Sequence, residues 1–498
     1  MPETYLDFRL AGESLDLGPD TQVQFEFNSP LFETDTLPGT LAYPFRVDNT
    51  PKNRRLLAFP GYLAAARVRN QVFAADLYLC GLLWRRGQLS VVKRSADGFD
   101  LSFQTDAGDV QRRLVDLQLA AVPLPTVPLD FNGGAWPAVL YALPTVANAL
   151  FYDENATKTL QYRGLVNAFA NGSYDAGQPV VPMVYLRTVI DAICQVVGYS
   201  LAGTFFADPE IQALVLYSNQ AVDPAANAVA LARHLPDQSV PDAIKAVRAL
   251  FCLCTVFDPV QRQFVVDALR DVLADPRYLD WTDRAEAAFD WEPNVTAGFW
   301  LEQKLDGGDD LSKNAPASQY LLKIDGAQEK ITVDAGSLAM QRGPATPTSP
   351  TGSDTLLPVT VQKGNTPLLP DATDNKTTLR LLFHRGRHPD AAGAPYPLAS
   401  AEALDYSGQL VGRYSLRWDG PHGLYATWHK DWLAFRARTE TVTRGVRLRV
   451  ADLLQLDPRR KVLIRAAEGT TLAFWKQIQV TISQKDGILV AQIPFYKI

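Results

Sequence analysis

The stretch from Ser239 to Thr282, SVPDAIKAVRALFCLCTVFDPVQRQFVVDALRDVLADPRYLDWT, changes hydrophobic period twice inside one continuous apolar unit. Ser239 and Asp242 have the spacing of a capping box, with Asp in place of the usual Glu, and Pro241 suits a first helical turn. Ile244, Val247 and Phe251 then recur at helical spacing, so a helix should run to about Phe251. From Leu253 to Phe257 the residues become β-branched and aromatic, Asp258-Pro259 breaks the run, and Gln263 to Val266 resumes it, as two antiparallel strands would. Helix, strand, turn, strand is a rigid α+β insert that ties together what precedes and follows it. Nothing in it is catalytic.

A chain of 498 residues has room for about three domains with large cores. Its 34 prolines and 32 glycines favour turns over long helices, which points to a mostly β protein. The formal charge of −6 argues against a general nucleic-acid binder, which needs clustered Lys and Arg for phosphates. The acidic start, MPETYLDFRLAGESLDL, lacks the features of a secretory signal, and no stretch approaches the roughly 18 apolar residues of a membrane span. Synthesis and assembly in the cytoplasm are therefore expected. Cys80, Cys194, Cys252 and Cys254 all sit in apolar runs, as buried free thiols do. Cys252 and Cys254 would share a strand face without a second ligand pair, so no zinc site is expected.

Val23, Phe25 and Phe27 alternate with Gln22, Gln24 and Glu26 as in a strand with one wet face. Val72 to Cys80 is a second strand, Trp84 to Gly87 reads as a turn, and Leu89 to Val92 follows. Asp97-Gly98 is a hairpin signal leading into Phe99, Leu101 and Phe103. This meander should close as a barrel or sandwich by about Val146, and the polar patch Tyr152 to Lys158 makes a boundary. Beyond it Leu186, Val189, Ile190, Ile193 and Val197 share a helical face that Gly198 would cap, and Asp208-Pro209 opens a short helix. Past Trp291 two tracts read as exposed loops, the acidic Asp306 to Ser318 and the Pro/Thr/Ser-rich Gly343 to Asp354. Leu424, Trp428, Trp432 and Phe435 then form the apolar stripe of a helix, with His429, Lys430 and Arg436 outside. Val446, Leu448 and Val450, Leu463, the run Ile478, Val480, Ile482, and Leu489 to Phe495 supply a second meander.

The fold class expected is α+β, mostly β, with two barrel- or sandwich-like domains flanking a helix-containing insert. The divisions fall at residues 1–150, 151–292 and 293–498, the last carrying the amphipathic helix near 423–438.

The chemistry-bearing residues are few. No phosphate loop, nucleophile elbow, zinc-binding H-E-x-x-H or dinucleotide fingerprint occurs, so no catalytic, cofactor-binding or metal residue is assigned and no enzymatic activity is expected. His384 and His388 have i,i+4 spacing, but Gly386 and Pro389 work against a helix there. His422 and His429 flank the start of the Trp-rich helix and could face one cleft. Asp306, Asp309 and Asp310 lack the twelve-residue calcium-loop pattern and read as a solvated acidic loop. Asp280, Asp290 and Glu292, beside Trp281 and Trp291, are the best candidates for the paired acids and aromatic platform of a glycosidase, against the plainer reading of turn and core residues.

The organising stretch, ending in Asp280-Trp281-Thr282, together with Phe73 to Phe103, Tyr185 to Asn219 and Ser415 to Ile498, resembles baseplate hub or tail-tip proteins of tailed phages and related contractile injection particles. The resemblance rests on hydrophobic patterns over much of the chain. It implies a structural role at the tail tip of a virion or tail-like particle. There a ring-shaped homotrimer would join the tail tube or distal tail protein to a spike or fibre, with the tape-measure protein as a further neighbour. DNA would pass its lumen without specific binding. The alternative is a tail-associated carbohydrate-binding or cell-wall-degrading β protein.

Overall fold

In the computed structural model the described residues are 5–498 apart from 33–39, 43, 59–71, 106–109, 111–112, 149, 152–163, 176–177, 224, 226, 259–260, 297, 305, 308, 310, 312–316, 325, 327–328, 345–352 and 363–376. Strand outweighs helix, 45% against 18%, which makes the chain mostly β within the α+β class. The boundary patch Tyr152 to Lys158 and most of the 343–354 tract lie outside the described residues.

The organising stretch folds as its periods dictate. Ser239 accepts a hydrogen bond from the Asp242 N–H and caps the helix Val240–Leu250, whose start carries Pro241. The helix passes through a tight turn, with Cys252 at φ 51°, into the strand Leu253–Asp258, which pairs antiparallel with Gln263–Ala268. Ser200–Ala202 adds a parallel third strand beside Gln263–Val265. That strand follows the helix Leu186–Val197, which ends on Gly198 in the left-handed conformation at φ 75°. Gly203 has a second reason to be glycine: at φ 97°, a Cβ there would come within 2.3 Å of the Val266 carbonyl oxygen. Both helices turn their apolar faces into one large core shared with the strand Leu379–Pro389 and the helix Lys430–Arg438.

The first hundred residues form an antiparallel sheet that takes in the distant strand Gln477–Ser483, paired along its whole length with Gln22–Asn28. The sheet curls until its ends meet at a side chain. Gln484 accepts from the Leu6 N–H at 3.0 Å and donates to the Leu6 carbonyl at 2.6 Å, so its amide replaces a peptide group in the ladder. Inside, Phe8 stacks on Phe45, Phe25 meets Trp84 edge-on, and the Trp84 indole N–H donates to the Leu453 carbonyl.

A second, six-stranded sheet contains Lys461–Ala466, Gly469–Trp475, Ala491–Lys497 and Thr441–Val446, with Tyr278–Asp280 on one edge and Ala285–Glu292 on the other. Its middle strands make packing contacts on both faces. Trp475 and Phe495 point into the core shared with the N-terminal sheet, while Phe474 and Tyr496 pack against the core of the central unit through Trp432, Phe435 and Phe32. This is why Phe474-Trp475 and Phe495-Tyr496 are consecutive aromatics in a sheet whose period is two. The topology crosses the expected divisions at 150 and 292. Residues 477–488 belong with the N-terminal sheet, 278–292 belong with the C-terminal one, and much of 299–435 belongs to the central core.

Four local readings are corrected. The expected turn at Trp84 to Gly87 lies inside the strand Leu82–Arg94, and the chain reverses at Cys80-Gly81, where φ is 48° and 78°. Cys80 is accordingly exposed, unlike the other three cysteines. Cys252 lies in the turn before its strand, so it does not share a strand face with Cys254. Finally, Leu424, Trp428, Trp432 and Phe435 are all buried as expected, but the helix begins as a π-helix over Tyr425–His429. The wider turn rotates the next residue inward, so His429 is buried instead of outside.

Candidate functional site

The N-terminal sheet, the central strands and the loop after the helix Val450–Leu454 meet around a cleft of about 830 Å³. Arg85 and Phe27 come from the first, Thr255 and Asp258 from the second, Asp457 and Arg459 from the third. Arg459 is a fastener. It grips Asp457 at 3.0 Å and reaches Asp267 at 2.9 Å, and Asp267 in turn receives the Thr204 N–H at 2.7 Å. Burial pulls down on the Arg459 pKa, but the bonds from Asp457 and Asp267 more than offset it, so this guanidinium is held charged.

Arg85 is placed differently. Its Nη1 donates to the neighbouring Trp84 carbonyl, its guanidinium lies 5.2 Å from the Trp84 ring centroid, and among the described residues no carboxylate stands within ion-pair distance. Burial pushes its pKa down to about 10, against a smaller pull upward from the charge of Asp258. A desolvated guanidinium in a roomy polar cleft suits an anionic group such as a carboxylate. Among the described residues neither histidine nor cysteine lines this cleft.

The histidines go elsewhere. His384 and His388 lie on the bulged strand Leu379–Pro389 and take separate partners, Tyr185 at 2.8 Å and Asp405 at 3.2 Å. The Tyr185 hydroxyl donates to the Gly134 carbonyl, so the His384 Nδ1–H must donate to the Tyr185 oxygen. Burial lowers the His384 pKa to about 4. His429 uses Nε2 to donate to the Leu250 carbonyl and lines a second cavity of about 340 Å³, while the His422 ring bonds the Arg413 carbonyl outside it. They do not share a cleft. Among the described residues no cluster of His, Cys, Asp and Glu could hold a metal ion.

Asp306 and Asp309 are not solvated. They are 4% and 1% exposed and both grip the buried Arg380, at 2.7 and 2.9 Å. Asp310 lies outside the described residues. Asp280 binds Arg465 at 3.0 Å and the Thr282 N–H, which together lower its pKa, the Thr282 bonds contributing most. Trp281 is core, 1% exposed. Asp290 and Glu292 stand on the other edge of the C-terminal sheet, and none of these three acids lines either cavity. Arg380 and Arg85 were missed by sequence reasoning, since an arginine in an apolar strand gives no sign of what it will face once distant parts of the chain pack against it.

Fold and cleft define a mostly β protein of the α+β class, with three packed parts around a shared cleft. No known family model matches the chain, and no curated protein matches it. Among solved structures it is similar to one described as the tail protein from Neisseria meningitidis MC58, at 11% identity and TM-score 0.39 over 99% of this chain and 95% of that one. It is also similar to the 43 kDa tail protein of prophage MuSo2 from Shewanella oneidensis, at 8% identity and TM-score 0.39 over 98% and 95% of the two chains. A third is the prophage tail protein gp18 from Listeria monocytogenes EGD-e, at 10% identity and TM-score 0.38 over 98% and 94%. No helix among the described residues is long and apolar enough to cross a membrane.

Proposed function

We propose that the chain is a structural protein of a phage tail or tail-like particle, a hub that joins the tail tube to a distal spike or fibre, with no enzymatic activity of its own. The reading rests on the hydrophobic patterns of residues 73–103, 185–219, 239–282 and 415–498. One structural observation supports it: the C-terminal sheet packs one face on the N-terminal sheet, through Trp475 and Phe495, and the other on the central unit, through Phe474 and Tyr496, and so welds the two together. Such a body transmits load without hinging, as a connector must. The carbohydrate-active alternative requires two carboxylates facing each other across a cleft, about 5 to 10 Å apart. Asp280 is instead ion-paired, and Asp290 and Glu292 stand away from both cavities.

Three copies per particle belongs to the proposal by resemblance alone. The two sheets are not duplicates: the first is antiparallel throughout, while the second has a parallel edge pair and lends Gln477–Ser483 to its neighbour. Quantitative mass spectrometry and cross-linking of a purified particle test the reading. Three copies, cross-linked to tube and spike proteins, are expected; six copies, one copy, or absence from the particle overturns it. Purified protein should release nothing from peptidoglycan, and turnover abolished by Asp280→Asn or Asp290→Asn would overturn the non-catalytic part.

A further inference from the structure

The strand Ala285–Glu292 breaks the pattern of its sheet. It forms the outer edge, paired only with Thr441–Val446 among the described strands, and every residue from Glu286 to Glu292 is exposed. Register shows what is unusual about this. Phe289 lies opposite Arg444 and Trp291 opposite Val442, and these in turn oppose Ile493 and Phe495, which are core. Residues directly opposite share a face, so Phe289 and Trp291 stand on the core side of the sheet, where the core has run out of cover. They are 44% and 53% exposed. The other face of the strand carries Asp290 and Glu292, and among the described residues no ion pair reaches either.

The edge is also stiff. The buried Arg444 guanidinium is ion-paired with Glu468, lies 4.7 Å from the Phe289 ring centroid, and donates to the carbonyls of Glu286 and Ala287. It holds the bulge between Ala285 and Phe289, so residues 289–292 form a rigid, regular edge.

We propose that this edge is a docking site for an extended segment of another protein, one with Lys or Arg at alternate positions and apolar side chains between them, which adds as a seventh strand. The apolar side chains of such a segment would cover Phe289 and Trp291, and its cations would face Asp290 and Glu292. Charge decides against a second copy of the same strand, because self-pairing would bring two sets of carboxylates onto one edge. Acidic residues alone would be enough to blunt an edge against aggregation, but blunting does not place two aromatics on the core side. The inference does not depend on the tail reading.

The test uses the full chain and two octapeptide probes, one alternating Lys and Val and one alternating Glu and Val. Binding is read by Trp fluorescence and by amide exchange. The Lys-Val probe should bind and protect the amides of 285–292, with affinity falling as salt is raised. The Glu-Val probe should bind at least about tenfold more weakly, a difference of roughly 1.4 kcal/mol. Asp290→Lys with Glu292→Lys should reverse that preference, and Trp291→Ala should weaken the Lys-Val probe. Both changes are at exposed positions, and near-UV circular dichroism checks that the variants fold. The milder Glu292→Gln serves where the double variant does not. Equal binding of the two probes, no protection of 285–292, or protection that rises with protein concentration alone would overturn the proposal, the last by showing self-pairing.

Discussion

Arg380 is 3% exposed between the carboxylates of Asp306 and Asp309, so removing it would leave two buried negative charges without their cation. Breaking a buried pair from one side costs about 3–5 kcal/mol, most of it the desolvated charge left behind. Arg380→Met should therefore lower the unfolding free energy measured by urea titration by that amount, whereas Arg277→Met, at the exposed pair with Asp275, should leave the midpoint nearly unchanged. The buried histidines set a pH dependence. Burial lowers the His384 pKa from 6.5 to about 4 and that of His429 likewise to about 4. Between those values the unfolded chain binds protons that the folded chain refuses. Their contribution is thus complete above about pH 6.5 and is lost as the pH falls toward 4, by at most about 3 kcal/mol per histidine. Urea midpoints between pH 7 and 4 should fall less steeply in His384→Phe than in the parent protein. An unchanged slope would mean that His384 is not held neutral.

Elements with local signals are the ones that could be read from the sequence. The Ser239 cap, the Gly198 terminus and the Asp97-Gly98 hairpin each depend on residues within a turn of one another, so the chain announces them. The π-helix that turns His429 inward has no such sign, because it is imposed by packing of Trp428 and Trp432 on both sides. The partner of Gln22–Asn28 was equally hidden, since it lies some 450 residues away and alternation says which face is wet but not which strand is next. The candidate cleft was not legible for the same reason: Arg85 and Arg459 become neighbours only once the three parts pack. Two expectations follow for elements. Gln484→Ala should cost about 1–3 kcal/mol, since it unpairs the Leu6 N–H and carbonyl where the N-terminal sheet closes, and faster amide exchange at Leu6 would report it. The strands Ala339–Pro344 and Asp354–Thr360 pair down to Pro344 opposite Asp354, so replacing 345–352 by a short Gly-Ser link leaves their ladder intact. Calorimetry should find the melting temperature within a few degrees of the parent, and insoluble protein would show that the tract carries core.

At the scale of the molecule, the question is whether the first part can fold by itself. A chain of two separable barrels predicts that residues 1–150 form a stable domain in isolation. The topology predicts otherwise. Without Gln477–Ser483 the strand Gln22–Asn28 loses the partner along its whole length, Gln484 no longer joins the sheet's ends, and the Trp84 indole N–H loses the Leu453 carbonyl. The core exposes Phe25, Phe27 and Trp84 where Ile478, Val480 and Ile482 had packed. Each of those three aliphatic side chains contributes about 1.5–3 kcal/mol by burial, and together they rival the whole stability of a small domain. A 1–150 fragment should therefore lack a near-UV circular dichroism signal and show no cooperative melting. The same fragment followed by a Gly-Ser linker and residues 475–490 restores the missing strand and should regain a sigmoidal urea transition. Cooperative unfolding of 1–150 alone would mean that the N-terminal sheet closes without its distant strand. In that case the welded body on which the connector reading leans would come apart into independent domains.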